Sequence, residues 1–198
     1  DLIISPNSSF EWLIKKIENE INFAKKNLPS GIWIKCNAIV DSKLIEKLYE
    51  ASNAGVKINL FVRGICCLKP NVKGLSENII VKSIIGRFLE HGRIYVFANG
   101  GEFQSIKNDV YISSADMMPR NLYTRVEAYV PLKNETVRSQ ILTQVIPALI
   151  NDTKNSWLLE QTGEYVKLED KLNFCSHSYF MENPSLSGQG TLSKSKTA

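Results

Sequence analysis

The sequence predicts an α/β fold in which a mixed sheet is flanked by helices, and three observations carry that prediction. Up to Val62, short apolar runs alternate with amphipathic stretches of helical period in the order strand, helix, strand, helix, strand. That is the pattern of a parallel sheet with crossover helices. Further on, Ile94 to Ala98 and Asp109 to Ser113 are joined by a connection beginning Asn99-Gly100-Gly101, which predicts an antiparallel pair and so a mixed sheet. The chain has 198 residues, 43% of them hydrophobic, enough for one sizeable core. We place that domain at residues 1–172 and read 173–198 as a weakly structured C-terminal extension.

Leu2-Ile3-Ile4 reads as a first strand, and a chain opening on Asp1 rather than Met reads as a piece of a longer protein. Ser8-Ser9-Phe10-Glu11 has the pattern of a capping box, predicting a helix to about Asn27 with Phe10, Leu13, Ile14, Ile17, Ile21 and Ala24 on one stripe. Ile32 to Cys36 is a short strand. Asp41 then caps a second helix that carries Leu44, Ile45, Leu48 and Ala51 inward and stops at Gly55. Val56 to Val62 is a buried strand, and Arg63-Gly64 follows it, at the carboxyl end where an open α/β sheet binds its ligand. A loop rich in turn formers leads to a strand from Ile79 to Ile85. After the antiparallel pair, Arg125 to Val130 is the last strand, and Asn134 caps a long amphipathic helix reaching Leu149 despite Pro147. From Asn173 the periodicity decays. Residues 187–198 are rich in Ser, Gly, Thr and Lys and are expected to be mobile, and His177, between two serines, reads as surface decoration.

Charge is mild overall, at +4, but unevenly spread: residues 63–125 hold nine basic side chains against five acids, so the remainder is neutral. Five of the six arginines lie in that region, in a chain that otherwise uses eighteen lysines. Guanidinium binds phosphate or carboxylate bidentately where ammonium acts as a point charge, so either anion recognition or internal pairing with Glu90, Asp116 or Glu127 accounts for the clustering. Cys36, Cys66, Cys67 and Cys175 have neither zinc nor disulfide spacing, which points to a reducing cytosol and to Cys66 and Cys67 as small buried residues. No metal site is expected within the chain. No apolar run has the length of a membrane span. A P-loop is excluded because no G-x-x-x-x-G-K-[ST] occurs. Aromatics are not interleaved with the basic residues as a single-strand stacking platform requires, so nucleic acid is not expected as a partner.

The segment Gly86-Arg87-Phe88-Leu89-Glu90-His91-Gly92-Arg93 sets an imidazole between two guanidinium groups where a strand begins. Such a pairing suits chemistry on anionic oxygen, because the arginine binds phosphate while the histidine gives or takes a proton near neutrality. Glu90 either orients His91 or pairs with Arg87 or Arg93. Asp116 either fixes the imidazole tautomer or caps a turn, in a stretch from Ser113 to Asn121 that a tight turn would bring toward a ligand; Met117 and Met118 read as packing.

Four motifs in order, Arg63-Gly64-Ile65-Cys66-Cys67-Leu68, Gly74 to Ile79, Gly86 to His91 and Ser114 to Asn121, closely resemble the C-terminal part of polyphosphate kinase of the long, histidine-phosphorylated type. The likeness runs from Leu2 to roughly Glu164. It implies a phospholipase D-like domain, the second of two at the C-terminus of a four-domain enzyme. The phospholipase D signature is met with departures: His91-Gly92-Arg93 has arginine where lysine is usual, and Ser113-Ser114 stands for Gly-Ser. The resemblance implies reversible, magnesium-dependent transfer of the ATP terminal phosphate onto inorganic polyphosphate through a phosphohistidine in the preceding domain. His91 matches the second active-site histidine, Arg63 an arginine that contacts nucleotide phosphates, and Arg125 and Glu127 positions lining that site. With them we group Arg93 as a phosphate ligand and Glu90, Asp116 and Arg120 as supporting residues. Expected partners are ATP or ADP, polyphosphate, and the N-terminal domains of the same protein. A homo-oligomeric, cytoplasmic enzyme with peripheral membrane association and Mg2+ ligands outside this fragment is implied. The alternatives are a phospholipase D-like phosphodiesterase half-domain and a non-catalytic polyanion-binding module.

Overall fold

A computed structural model describes residues 1–168 and 172–183. Its strands are β1 (Ile3–Ile4), β2 (Gly31–Cys36), β3 (Lys57–Val62), β4 (Ile79–Ile84), β5 (Arg93–Phe97), β6 (Asp109–Ser113), β7 (Ala128–Pro131), β8 (Ser156–Leu159) and β9 (Tyr165–Lys167). They form one sheet in the order β1-β7-β6-β5-β2-β3-β4-β8-β9. The pairs β2·β3 and β3·β4 are parallel and the others antiparallel, so the α/β class and the mixed sheet are as expected.

Alternation along the central strands builds a core on each face. Ile32, Ile34, Ile58, Leu60, Tyr95 and Phe97 point one way, into a cluster closed by α1 (Ser9–Lys25) and α2 (Ser42–Asn53) through Leu13, Ile17, Leu44 and Leu48. Trp33, Phe61, Ile94 and Val96 point the other way, onto Leu142, Ile146 and Leu149. Those three belong to the long helix predicted after Asn134, which runs as α3's successor: α3 is Pro119–Tyr123, then α4 is Glu135–Gln140, a wide π turn spans Ile141–Val145, and α5 is Ile146–Asn151. Pro147 has no N–H for the carbonyl four residues back and its ring crowds that carbonyl, and the wide turn before it relieves both. Asn134 and Asp41 cap as predicted, accepting from Val137 N at 3.1 Å and Leu44 N at 3.0 Å.

Three expectations are corrected. The capping box does not form, because Ser8 lacks the extended cap conformation and its hydroxyl turns back to Ile4 O at 3.2 Å. The last central strand begins at Ala128 rather than Arg125, because Arg125 N is held by Arg120 O at 2.8 Å at the exit of α3. Cys67 is exposed and Cys66 half-buried rather than both buried, whereas Cys36 is fully enclosed. Beyond these, β8 and β9 extend the sheet past β4, and a helix α6 (Ser176–Glu182) packs within the stretch expected to be weakly structured. The mobility expected of residues 187–198 falls outside the described residues. Among the described residues no helix is long and apolar enough to cross a membrane.

Candidate active site at the strand ends

Because β2, β3 and β4 run parallel, their carboxyl ends share one rim of the sheet. The strand β5 is antiparallel to β2 and β6 antiparallel to β5, so the start of β5 and the end of β6 meet at the same rim. Topology therefore gathers Asn37 after β2, Arg63 after β3, His91 and Arg93 at the start of β5, and Asp116 after β6. Their contacts form one chain of hydrogen bonds. Asn37 Oδ1 accepts from Arg63 Nε at 2.9 Å and Nη2 at 2.5 Å, while Asn37 N donates to Asp116 Oδ1 at 2.6 Å. Asp116 takes Arg93 bidentately, from Nε at 3.1 Å and Nη2 at 2.8 Å. Arg93 in turn donates through Nη1 to His91 O at 2.9 Å and through Nη2 to His91 Nε2 at 3.0 Å.

Electrostatics follow from these contacts. The Asp116 hydrogen bonds raise the Arg93 pKa above its usual value, so this guanidinium is permanently charged. A guanidinium only donates, so His91 Nε2 is the acceptor and the neutral imidazole carries its proton on Nδ1. The Nδ1–H has no protein partner among the described residues and His91 is exposed. Beneath the rim, burial pushes the Cys36 thiol up and the Tyr95 and Tyr129 phenols up, so these groups stay neutral under the charged network. Arg63 differs from Arg93 in one respect. Its Nη1 is buried and has no hydrogen-bond partner. Arg63 also lines a cleft with Lys35, Phe61, Glu90, Leu149 and His177, which continues into an apolar lobe of about 400 Å3 bounded by Phe88, Ile94, Ile141, Val145 and Phe180.

Of the residues expected at the site, Arg63, His91, Arg93 and Asp116 thus come together. Glu90 pairs with Lys35 Nζ at 2.6 Å rather than with Arg87, Arg93 or His91, because Lys35 leans over from β2 and also donates to Gly92 O at 2.9 Å. Asp116 acts on the imidazole through Arg93 and not directly. Glu127 accepts from Asn121 Nδ2 at 2.6 Å and so steadies α3. Arg120 and Arg125 are exposed, on α3 and just after it, with no side-chain partner joining them to the network among the described residues. Among the described residues no group of three or more His, Cys, Asp and Glu side chains could hold a metal ion by itself.

The family model for polyphosphate kinase C-terminal domain 2 matches residues 2–176. The chain belongs to that family. A polyphosphate kinase of Erythrobacter litoralis is 52% identical over 190 residues, which are 96% of this chain and 27% of that protein. One from Helicobacter pylori is 44% identical over 182 residues, 90% of this chain and 25% of its own length. The chain therefore spans about a quarter of the relatives it matches, by the 27% and 25% just given. The crystal structure of a polyphosphate kinase from Porphyromonas gingivalis superposes with a TM-score of 0.86 at 32% identity, covering 92% of this chain and 28% of that one. A phospholipase D family member, Nuc from Salmonella typhimurium, superposes with a TM-score of 0.54 at 11% identity over 76% of this chain and 93% of its own, a likeness of fold.

In this polyphosphate kinase domain, sequence reasoning missed Lys35, Asn37 and His177. Asn37 had a signal: it follows β2 as Arg63 follows β3, one strand over on the same rim. Lys35 had a weaker one, as a lysine inside the otherwise apolar run Ile32 to Cys36. His177 had none, and the structure overturns its reading as surface decoration, since it is 5% exposed and lines the cleft with Arg63.

Proposed function

We propose that this domain supplies Arg63 and His91 to the reversible transfer of the ATP terminal phosphate onto inorganic polyphosphate. A histidine of a preceding domain forms an N–P bond as the bond between the terminal phosphorus and the bridging oxygen breaks, releasing ADP. The end of a polyphosphate chain then takes the phosphoryl group, and the N–P bond breaks. Phosphoryl transfer asks the protein for positioning and for spread positive charge. The observation that carries the reading is the buried, unpartnered Nη1 of Arg63 at the carboxyl rim, a charged donor whose desolvation is offset when an anion reaches it.

His91 fits a partner role in that chemistry. With Nε2 engaged by Arg93, its exposed Nδ1–H is the atom that can donate to a phosphate oxygen or to the departing bridging oxygen. Magnesium is assigned to ligands outside this chain, and no step here depends on it. A phosphodiesterase of the phospholipase D type fits less well, because the cation two residues after the histidine is committed to Asp116.

The domain alone binds polyphosphate weakly and does not turn over ATP. The test is titration of polyphosphate and ATP into the chain at two salt concentrations, with Arg63→Ala and His91→Ala beside wild type, and steady-state kinetics of the same variants in the intact enzyme. Arg63→Ala is expected to lower kcat/KM about 1000-fold, on the order of 4 kcal/mol, with circular dichroism unchanged. Polyphosphate synthesis by the chain alone, or intact turnover in either variant, would contradict the reading.

A further inference from the structure

The segment between β4 and β5 carries Glu90 and His91 on an exposed loop, and something must fix its path if His91 is to meet a phosphate repeatedly at one place. Residues 85–88 are held from one side. Ile85 N donates to Asn155 O at 2.9 Å. Phe88 N donates to His177 Nδ1 at 3.2 Å, and the Phe88 and His177 rings stack with centroids 5.6 Å apart and planes 31° apart. Between them the chain passes so close that a Cβ on Gly86 would lie 2.5 Å from His177 Nδ1 and 3.0 Å from Asn155 Nδ2. The glycine is there for space.

The other side of the contact is rigidly founded. Asp152, fully buried at the end of α5, accepts from Ser176 N at 2.7 Å, Ser176 Oγ at 2.6 Å, Ser156 Oγ at 3.0 Å and Asn155 N at 3.0 Å. One carboxylate therefore ties the start of α6 to α5 and β8, and the next residue along α6 is His177. Nothing else in the mechanism uses this histidine, and the family match ends one residue before it.

We propose that His177 is a positioning residue for the His91 loop. Its Nδ1 accepts the Phe88 amide, the ring covers the loop, and α6 transmits the fixed frame around Asp152 to the segment that presents Glu90 and His91. The inference rests on the proposed reaction, because the loop matters only if His91 does.

Three variants separate its parts. His177→Phe keeps a ring and removes the acceptor; His177→Asn places an oxygen near the position of Nδ1; His177→Gln places its polar end near that of Nε2. In the 198-residue chain, amide exchange read by NMR should show Phe88 exchanging about tenfold faster in His177→Phe and His177→Gln than in wild type or His177→Asn. In the intact enzyme, the same two variants should lower kcat about tenfold to 100-fold with KM for ATP within about threefold, and His177→Asn should recover most of the rate. Should His177→Phe fail to fold, the contrast between Asn and Gln decides. Equal Phe88 exchange in all variants, equal loss in Asn and Gln, or a KM effect with kcat unchanged would each overturn the proposal. Wild-type intact enzyme without polyphosphate activity would instead remove the proposed reaction, while the exchange measurement would still report whether His177 holds the loop.

Discussion

Arg63 and Arg93 stand on the same rim of one sheet, one strand apart on either side of β2, yet the structure uses them differently. Arg93 commits four of its five N–H groups to the protein: two to Asp116, one to His91 O and one to His91 Nε2. Arg63 commits two, both to Asn37 Oδ1, and keeps Nη1 buried and unpaired. A guanidinium with four of its five donors engaged is a strut that fixes its neighbours. One with donors in reserve has capacity left for an anion. The sequence expectation grouped both as phosphate ligands; we propose instead that Arg63 meets phosphate while Arg93 aims His91.

The sharpest way to break this comparison is to remove the anchor of Arg93 alone. Asp116 is 3% exposed and accepts three hydrogen bonds, so Asp116→Asn leaves a guanidinium without its counter-charge and turns an amide toward its donors. Loss of about 3 kcal/mol of stability is expected in denaturant unfolding, together with about a 100-fold fall in kcat as His91 loses its aim. Unchanged stability would mean that Arg93 finds other acceptors, and the strut reading would not survive.

Much of this division could be read from residue order and some of it could not. The position of Arg63 at the carboxyl end of a strand was legible because the strand before it alternates cleanly. The helix caps at Asp41 and Asn134 were legible because capping is local chemistry. The failed cap at Ser8 shows the limit, since a nearby carbonyl, Ile4 O, competed for the same hydroxyl. For Arg93 the sequence left phosphate binding and pairing with an acid such as Asp116 both open, because that acceptor is 23 residues away and pairing between strands decides which anion it meets. Glu90 illustrates the same point: three neighbours in sequence were candidates, and Lys35 from another strand took it. The strands β8 and β9 are short edge elements of 4 and 3 residues, whose pattern is too brief to carry a period.

A milder test exchanges geometry and keeps charge. Arg93→Lys retains a cation near Asp116, but a single ammonium cannot bridge both carboxylate oxygens and His91 Nε2 at once. A fall of about tenfold in kcat, about 1.4 kcal/mol in the barrier, is expected with polyphosphate affinity within about twofold of wild type. Arg63→Ala should do the reverse to affinity. If Arg93→Lys weakened polyphosphate binding as strongly as Arg63→Ala, the two arginines would share one role.

The smallest effect should come from a third arginine that has charge without a frame. Arg87 is exposed on the loop before His91, its guanidinium 5.7 Å from the Phe88 ring centre and without a carboxylate partner among the described residues. It contributes to the positive field of the region, held by a ring contact rather than by an ion pair. Arg87→Ala should therefore weaken polyphosphate binding less than about threefold at low salt, and by nothing measurable once the salt is raised to physiological strength. The loss on Arg63→Ala should persist there, because a donor held at a strand end and half-buried is screened less than an exposed one. If the two losses were equal, and equally erased by salt, net charge would be the property that matters. The distinction between aimed and unaimed guanidinium groups would then carry no weight.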